Sequence, residues 1–375
     1  MFISSQFDGG NITVLEASDP GHIRLEITPD HQSKYYQWFH FRVAGARDQA
    51  LSFDIENAGG AAYLGGWKDY RVCYSYDRET WYRTSTRYDG QVLSWDFKPS
   101  SDVIWFAYFA PYSHERHQDL IAHYAAKPNV KLIVPGQTLD GRTMDVLRIG
   151  EPSDTKRTIW VTARQHPGET MAEWWMEGFL ADLLETPSEE GMDLLENAVI
   201  YAVPCMNPDG AARGHLRTNA AGVDLNREWM EPSMEKSPEV YLIRKLMTET
   251  QPDLCLDAHG DETIPNNFIA GAEGIPNWDD RHEQLLAKYK QELVKQSPDF
   301  QTQEGYPPSP PGKANLKIGA NYMAYAYNCL GMTLEMPFKD TRATPDADHG
   351  WSPERCRELG KANVAVMAEI VGDLR

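Results

Sequence analysis

Apolar and polar positions alternate along several stretches of the first third of the chain. Ile23, Leu25 and Ile27 alternate with Arg24 and Glu26, and Phe39, Phe41 and Val43 with Trp38, His40 and Arg42. Leu51, Phe53 and Ile55 alternate with Ser52, Asp54 and Glu56, and Leu93, Trp95 and Phe97 with Ser94 and Asp96. Side chains of a strand point to opposite faces in turn, so a period of two predicts half-buried antiparallel strands. Turn formers punctuate them at Asp8-Gly9-Gly10, Asp77-Arg78-Glu79-Thr80 and Asp89-Gly90. Short strands punctuated in this way predict an antiparallel β-sandwich domain over residues 1–112. Trp38, Trp67, Trp81, Trp95 and Trp105 fall in this segment and read as its aromatic core.

Beyond residue 112 the period changes. His114–Ala126 predicts a connecting helix, and Val130–Val134 and Val146–Ile149 predict strands around a turn at Asp140-Gly141. Thr158–Ala163 is almost wholly apolar, as expected of a strand covered on both faces. Met171, Trp175, Phe179 and Leu183 recur at helical spacing across 171–184, and Pro187 ends the run. Ala198–Val203, Leu254–Leu256 and Met332–Glu335 predict further strands; Val240–Met247, His282–Val294 and Pro353–Leu374 predict helices. This alternation predicts an α/β domain over residues 113–375, with a mixed, mostly parallel central sheet and helices on both faces. Ligands of such sheets gather at the carboxyl ends of strands. His166, His259 and Glu335 each fall at or just after such an end, which predicts one shared site.

The formal net charge of −19 argues against general nucleic-acid binding and against an anionic membrane surface. It would also repel an acidic substrate unless a local group of cations reversed the field. No apolar run is long enough to cross a membrane, and the first residues lack the basic and apolar regions of a signal peptide. Cys73, Cys205, Cys255, Cys329 and Cys356 are scattered, without a Cys-x-x-Cys pair, and fit free thiols in a reducing, cytoplasmic setting.

The chemistry concentrates in four stretches. His166-Pro167-Gly168-Glu169 offers an imidazole and a carboxylate from a tight loop, since Pro167 and Gly168 disfavour a helix interior. With His259 they make the ligand set of a catalytic zinc that keeps one position open. Asp257, two residues earlier, reads either as a partner for a metal-bound imidazole or as a turn residue. Asn226-Arg227 suits a substrate carboxylate, with a buried ion pair as the bland alternative that its context exceeds, and Arg213, Arg217 and Arg227 together suggest a local anion site. Glu335 is an acidic residue in an apolar strand, costly to bury unless paired or functional. The other nine histidines are expected to have no metal role; His114, His117 and His123 read as one polar, solvated helix face.

These stretches resemble a known family. Ala163-Arg164-Gln165-His166-Pro167-Gly168-Glu169-Thr170, Asn207-Pro208-Asp209-Gly210 (read as a turn), Gly222-Val223-Asp224-Leu225-Asn226-Arg227 and Thr333-Leu334-Glu335 are similar to the zinc metallocarboxypeptidases. They most resemble the cytosolic carboxypeptidase branch, whose eukaryotic members include tubulin deglutamylases. The match runs over residues 113–375, and the β-rich segment ahead resembles that branch's extra N-terminal β-sandwich. The resemblance implies one zinc ion held by His166, Glu169 and His259, with the C-terminus of a peptide or protein as substrate. It implies that Arg217 polarises the scissile carbonyl, that Asn226 and Arg227 anchor the terminal carboxylate, and that Glu335 is the general base. Digestive relatives cover the substrate with a mobile tyrosine; Tyr322, Tyr325 and Tyr327 lie in that neighbourhood and none is singled out. Lys313 and Lys317 either wall the side-chain pocket, favouring acidic terminal residues, or are solvated.

Two other functions fit parts of the pattern. An aspartoacylase-like deacylase of N-acyl amino acids shares the ligand logic, but typically reads His-Gly-x-Glu and lacks the long β-domain. A non-catalytic module that binds peptide C-termini would not need the full set of ligands and base.

Overall fold

The computed structural model describes residues 1–374. Residues 2–107 form two five-stranded sheets packed face to face. One runs in the order Phe2–Ser4, His40–Ala44, Val103–Ala107, Arg71–Ser75, Tyr82–Ser85, and the other Thr13–Glu16, Ile23–Glu26, Leu51–Ile55, Leu93–Phe97, Arg87–Tyr88. The predicted alternation places Phe41, Phe53, Trp95 and Phe106 between the sheets, with the Phe53 and Trp95 rings stacked at 4.9 Å. One pair departs from the antiparallel expectation. Ile23–Glu26 lies parallel to Leu51–Ile55, because the chain between them crosses to the other sheet to form His40–Ala44. Trp38, Trp67, Trp81 and Trp95 are buried, whereas Trp105 is half-buried under the Arg42 guanidinium.

The remainder is built on a seven-stranded sheet in the order Val130–Ile133, Val146–Ile149, Ala198–Val203, Arg157–Ala163, Leu254–Asp261, Leu330–Pro337, Phe268–Gly271. Its four central strands are mutually parallel and both edges are antiparallel. Arg157–Ala163 and Ala198–Val203 read as nearly continuous apolar runs because each face is covered. Ile159 and Val161 pack with the helices Met171–Leu184, Asp280–Gln296 and Pro353–Ile370; Trp160, between them, packs with Pro238–Thr250 and Gly319–Tyr327. Such a strand is fixed in register, since a slip of one residue would exchange the two faces.

Three local features depart from the sequence reading. The strands predicted over 254–256 and 332–335 extend to Asp261 and Pro337, so His259 and Glu335 lie within strands. Asn207-Pro208-Asp209-Gly210 opens a short helix, Pro208–Arg213: the Asn207 side chain caps it by accepting from Gly210 N at 3.0 Å, and proline tolerates the first helical position. His117 is buried: its Nδ1 faces Glu173 at 2.9 Å and its Nε2 faces Asp145 at 3.4 Å. Those carboxylates come from other elements, so the helix face looks polar in sequence but is covered in space.

Candidate active site

The Arg157–Ala163 strand runs into the His166–Glu169 loop through a strained residue. Arg164 adopts φ +59°, and its buried guanidinium donates to the Pro167 and Tyr112 carbonyls at 2.8 Å each and pairs with Glu173. A non-glycine residue in that region persists where its surroundings hold it. Gly168 is needed for close approach: its N donates to Leu216 O at 2.9 Å, and an added Cβ would lie 3.0 Å from that oxygen.

This loop turns His166 and Glu169 towards His259 from the neighbouring parallel strand. Potential ligand atoms of the three, all buried, lie within 4.8 Å of one another; no other such group occurs among the described residues. The Glu169 carboxylate sits between the imidazoles, 2.7 Å from each Nδ1. Burial would raise its pKa; the two imidazoles outweigh that and hold it at about 2. The far nitrogens are held as well: His166 Nε2 by Asp224 at 3.0 Å and His259 Nε2 by Asp257 at 2.8 Å. Asp257 in turn accepts from Thr162 Oγ at 2.7 Å and from Gln165. Two imidazoles oriented by carboxylates, with a third carboxylate beside them, are a donor set that suits zinc.

Asp224 joins the candidate metal ligands to the rest of the site. Besides His166, it accepts from Asn226 N at 3.0 Å and from Arg217 Nε at 2.9 Å. Asn226 reaches His259 Nε2 at 3.4 Å, and its Oδ1 accepts from Gly319 N at 2.7 Å. Arg227 is exposed, and its guanidinium donates to Asn226 O at 2.7 Å. Glu335 is buried beside His259 on the adjoining parallel strand, and its Oε2 has no hydrogen-bond partner among the described residues. Burial pushes its carboxyl well above the ordinary range, against the pull of His259.

His166, Glu169, Arg217, Asn226, Arg227 and Glu335 line one cavity of about 400 Å³, with His259 just behind Glu169. Arg213 does not belong to it; it pairs with Asp140 at 2.7 and 2.8 Å, which corrects the three-arginine anion site. Lys313 and Lys317 do not line it either. The lysine that lines it, beside the arginines Arg217 and Arg227, is Lys290, 4.0 Å from Glu273 in the same wall. None of Tyr322, Tyr325 and Tyr327 lines the cavity, whereas Tyr306 does, its hydroxyl donating to Asp261 at 2.5 Å. Tyr63 and Asp224 escaped the sequence reading. Asp224 was visible only as part of its motif, and no local signal ties Tyr63 to residues 154 positions away.

Comparisons with known proteins identify the family. Residues 3–109 match the model of the cytosolic carboxypeptidase N-terminal domain, and residues 117–348 match that of the zinc carboxypeptidases. The chain belongs to the zinc carboxypeptidase family. It carries the N-terminal domain of the cytosolic branch. A metallo-carboxypeptidase from Pseudomonas aeruginosa, solved with (2-guanidinoethylmercapto)succinic acid, is 45% identical with a TM-score of 0.97, covering 100% of both chains. A metallo-carboxypeptidase from Burkholderia cenocepacia is 40% identical with a TM-score of 0.97, covering 99% of each. Human cytosolic carboxypeptidase 2 is 30% identical over 80% of this chain, which spans only 37% of that protein's length. The chain is therefore a metallocarboxypeptidase by family, and that family acts on peptide or protein C-termini.

Proposed function

We propose that this carboxypeptidase hydrolyses the last peptide bond of a peptide or protein, with one zinc ion held by His166, Glu169 and His259. The observation that carries this reading is the convergence of those three donors with Glu335, whose Oε2 is unpartnered among the described residues, beside a single cavity. When bound, zinc supplies Lewis acidity, polarising the carbonyl and lowering the pKa of water to about 7. Glu335 takes the proton of the attacking water and returns it to the departing amine, so that OH adds to the carbonyl carbon and H to nitrogen. Arg217 donates to the developing oxyanion. Asn226 and Arg227 hold the terminal carboxylate, Arg227 through its forked guanidinium.

The terminal side chain would meet the wall that carries Lys290 and Glu273. Lys290 favours an acidic terminal residue, the preference first sought in Lys313 and Lys317. Glu273 favours a basic one, and the Pseudomonas relative's ligand, with its guanidino group, supports that second reading. Cytoplasmic residence is supported by five buried free thiols and by the names of the vertebrate relatives.

A library of peptides differing in the final residue, incubated with the zinc-loaded protein and read by mass spectrometry, tests both points. Release of single C-terminal residues is expected, and lack of release from every peptide would overturn the proposal. N-acyl amino acids form a second arm: turnover confined to them would favour the deacylase.

A further inference from the structure

The N-terminal sandwich meets the catalytic cavity at Arg217. The segment that carries this arginine lies between the helix Pro208–Arg213 and the turn Leu225–Arg227, outside any strand or helix. Its backbone is held from the other domain. Asp30 accepts from Leu216 N at 2.7 Å through one oxygen, and from Arg217 N at 2.8 Å, Thr218 N at 2.9 Å and Thr218 Oγ at 3.1 Å through the other. Asp30 is buried, so these bonds satisfy a carboxylate that would otherwise be costly there.

The side chain is held from the same direction. Arg217 donates to the Tyr63 hydroxyl at 2.5 Å, and its guanidinium carbon lies 5.6 Å from the Tyr35 ring centroid and 5.8 Å from that of Tyr63. Tyr63 is itself gripped by the buried Gln37, which accepts from Tyr63 N at 2.8 Å and donates to Tyr63 O at 3.1 Å. A free arginine side chain visits many rotamers, and charge stabilisation is effective only when the donor is already aimed. Within its own domain, the guanidinium has Asp224 as its single hydrogen-bond partner among the described residues.

We propose that Asp30 and Tyr63 are positioning residues for Arg217, so that the N-terminal sandwich completes the active site. This rests on the reading that Arg217 meets the oxyanion. Tyr63→Phe removes one oxygen and keeps the ring, whereas Asp30→Asn keeps shape but turns an acceptor into a donor facing backbone N–H groups.

The test uses the full-length, zinc-loaded protein and compares Tyr63→Phe, Asp30→Asn, Arg217→Ala and Tyr63→Phe/Arg217→Ala. Loss of a hydrogen bond to a charged group predicts a fall in kcat of about ten- to a hundredfold for Tyr63→Phe, with KM within about twofold. Affinity for a tetrahedral phosphonate peptide should fall by the same factor as kcat/KM, with thermal midpoint and zinc content unchanged. In the Arg217→Ala background, Tyr63→Phe should cost nothing further, because its effect passes through the arginine. Full activity of Tyr63→Phe where Arg217→Ala is impaired, or multiplying effects in the double variant, would overturn the proposal and leave the role of Arg217 standing. Unchanged kcat in Arg217→Ala would overturn that role itself. Should Asp30→Asn fail to fold, the Tyr63→Phe measurements decide alone.

Discussion

His259 and Glu335 are direct neighbours across two parallel strands, paired in register between Leu254–Asp261 and Leu330–Pro337. The sheet therefore sets the separation of a candidate metal ligand and a candidate base, and no loop has to find it. Glu335 keeps one buried oxygen without a partner among the described residues, free for the proton of the attacking water in the proposed mechanism. Glu335→Gln is isosteric and removes only the basicity. It should lower kcat by a factor of about 10²–10⁴ while zinc content stays at one per chain, measured by steady-state kinetics and elemental analysis. Retained turnover would remove Glu335 from the mechanism.

Asp224 touches three site residues at once: His166, Asn226 and Arg217. Asp224→Asn keeps the shape but loses the charge that orients the imidazole and the guanidinium. Loss of such an outer partner typically costs about 10- to 100-fold in metal affinity or activity. Zinc competition against a chelator should show weaker binding by a factor in that range. A variant with unchanged zinc affinity and kcat would reduce Asp224 to a turn former.

Much of this site was legible in the chain because period and motif report local geometry. Apolar runs marked strands over 158–163, 198–203 and 332–335, and the His166-Pro167-Gly168-Glu169 loop followed the first of them. What the sequence could not carry was who faces whom. Asp30 and Tyr63 reach Arg217 from 187 and 154 positions away, so neither spacing nor period connects them. Lys290 sits on a helix with an ordinary amphipathic pattern and reaches the cavity only because that helix packs beside the Phe268–Gly271 edge. The same limit explains the misreading of His117, whose cover comes from Glu173 and Asp145.

Arg227 is the exposed half of the proposed carboxylate clamp, while Asn226 is buried and fixed by Gly319 N. Lysine in place of Arg227 keeps the charge but loses the second parallel hydrogen bond. Arg227→Lys should raise KM for free-acid peptides by roughly tenfold with kcat little changed, the pattern of lost uniform binding. A C-terminally amidated peptide, which lacks that carboxylate, should lose less. Equal losses on acid and amide would mean that Arg227 does not read the carboxylate.

His117 gives the fold a pH dependence separate from catalysis. Burial alone would lower its pKa, but Asp145 and Glu173 outweigh that and raise it to about 9. A histidine whose pKa is higher folded than unfolded binds its proton more tightly in the native state. Its contribution is therefore complete below about pH 6.5 and fades as pH rises towards 9. The tighter proton binding is worth on the order of a few kcal/mol at the acidic end. His117→Gln, compared with the parent by urea unfolding in excess zinc, should be destabilised by that order at pH 6 and far less at pH 9.5. Stability curves that run parallel between those two values would show that His117 is not charged in the folded protein.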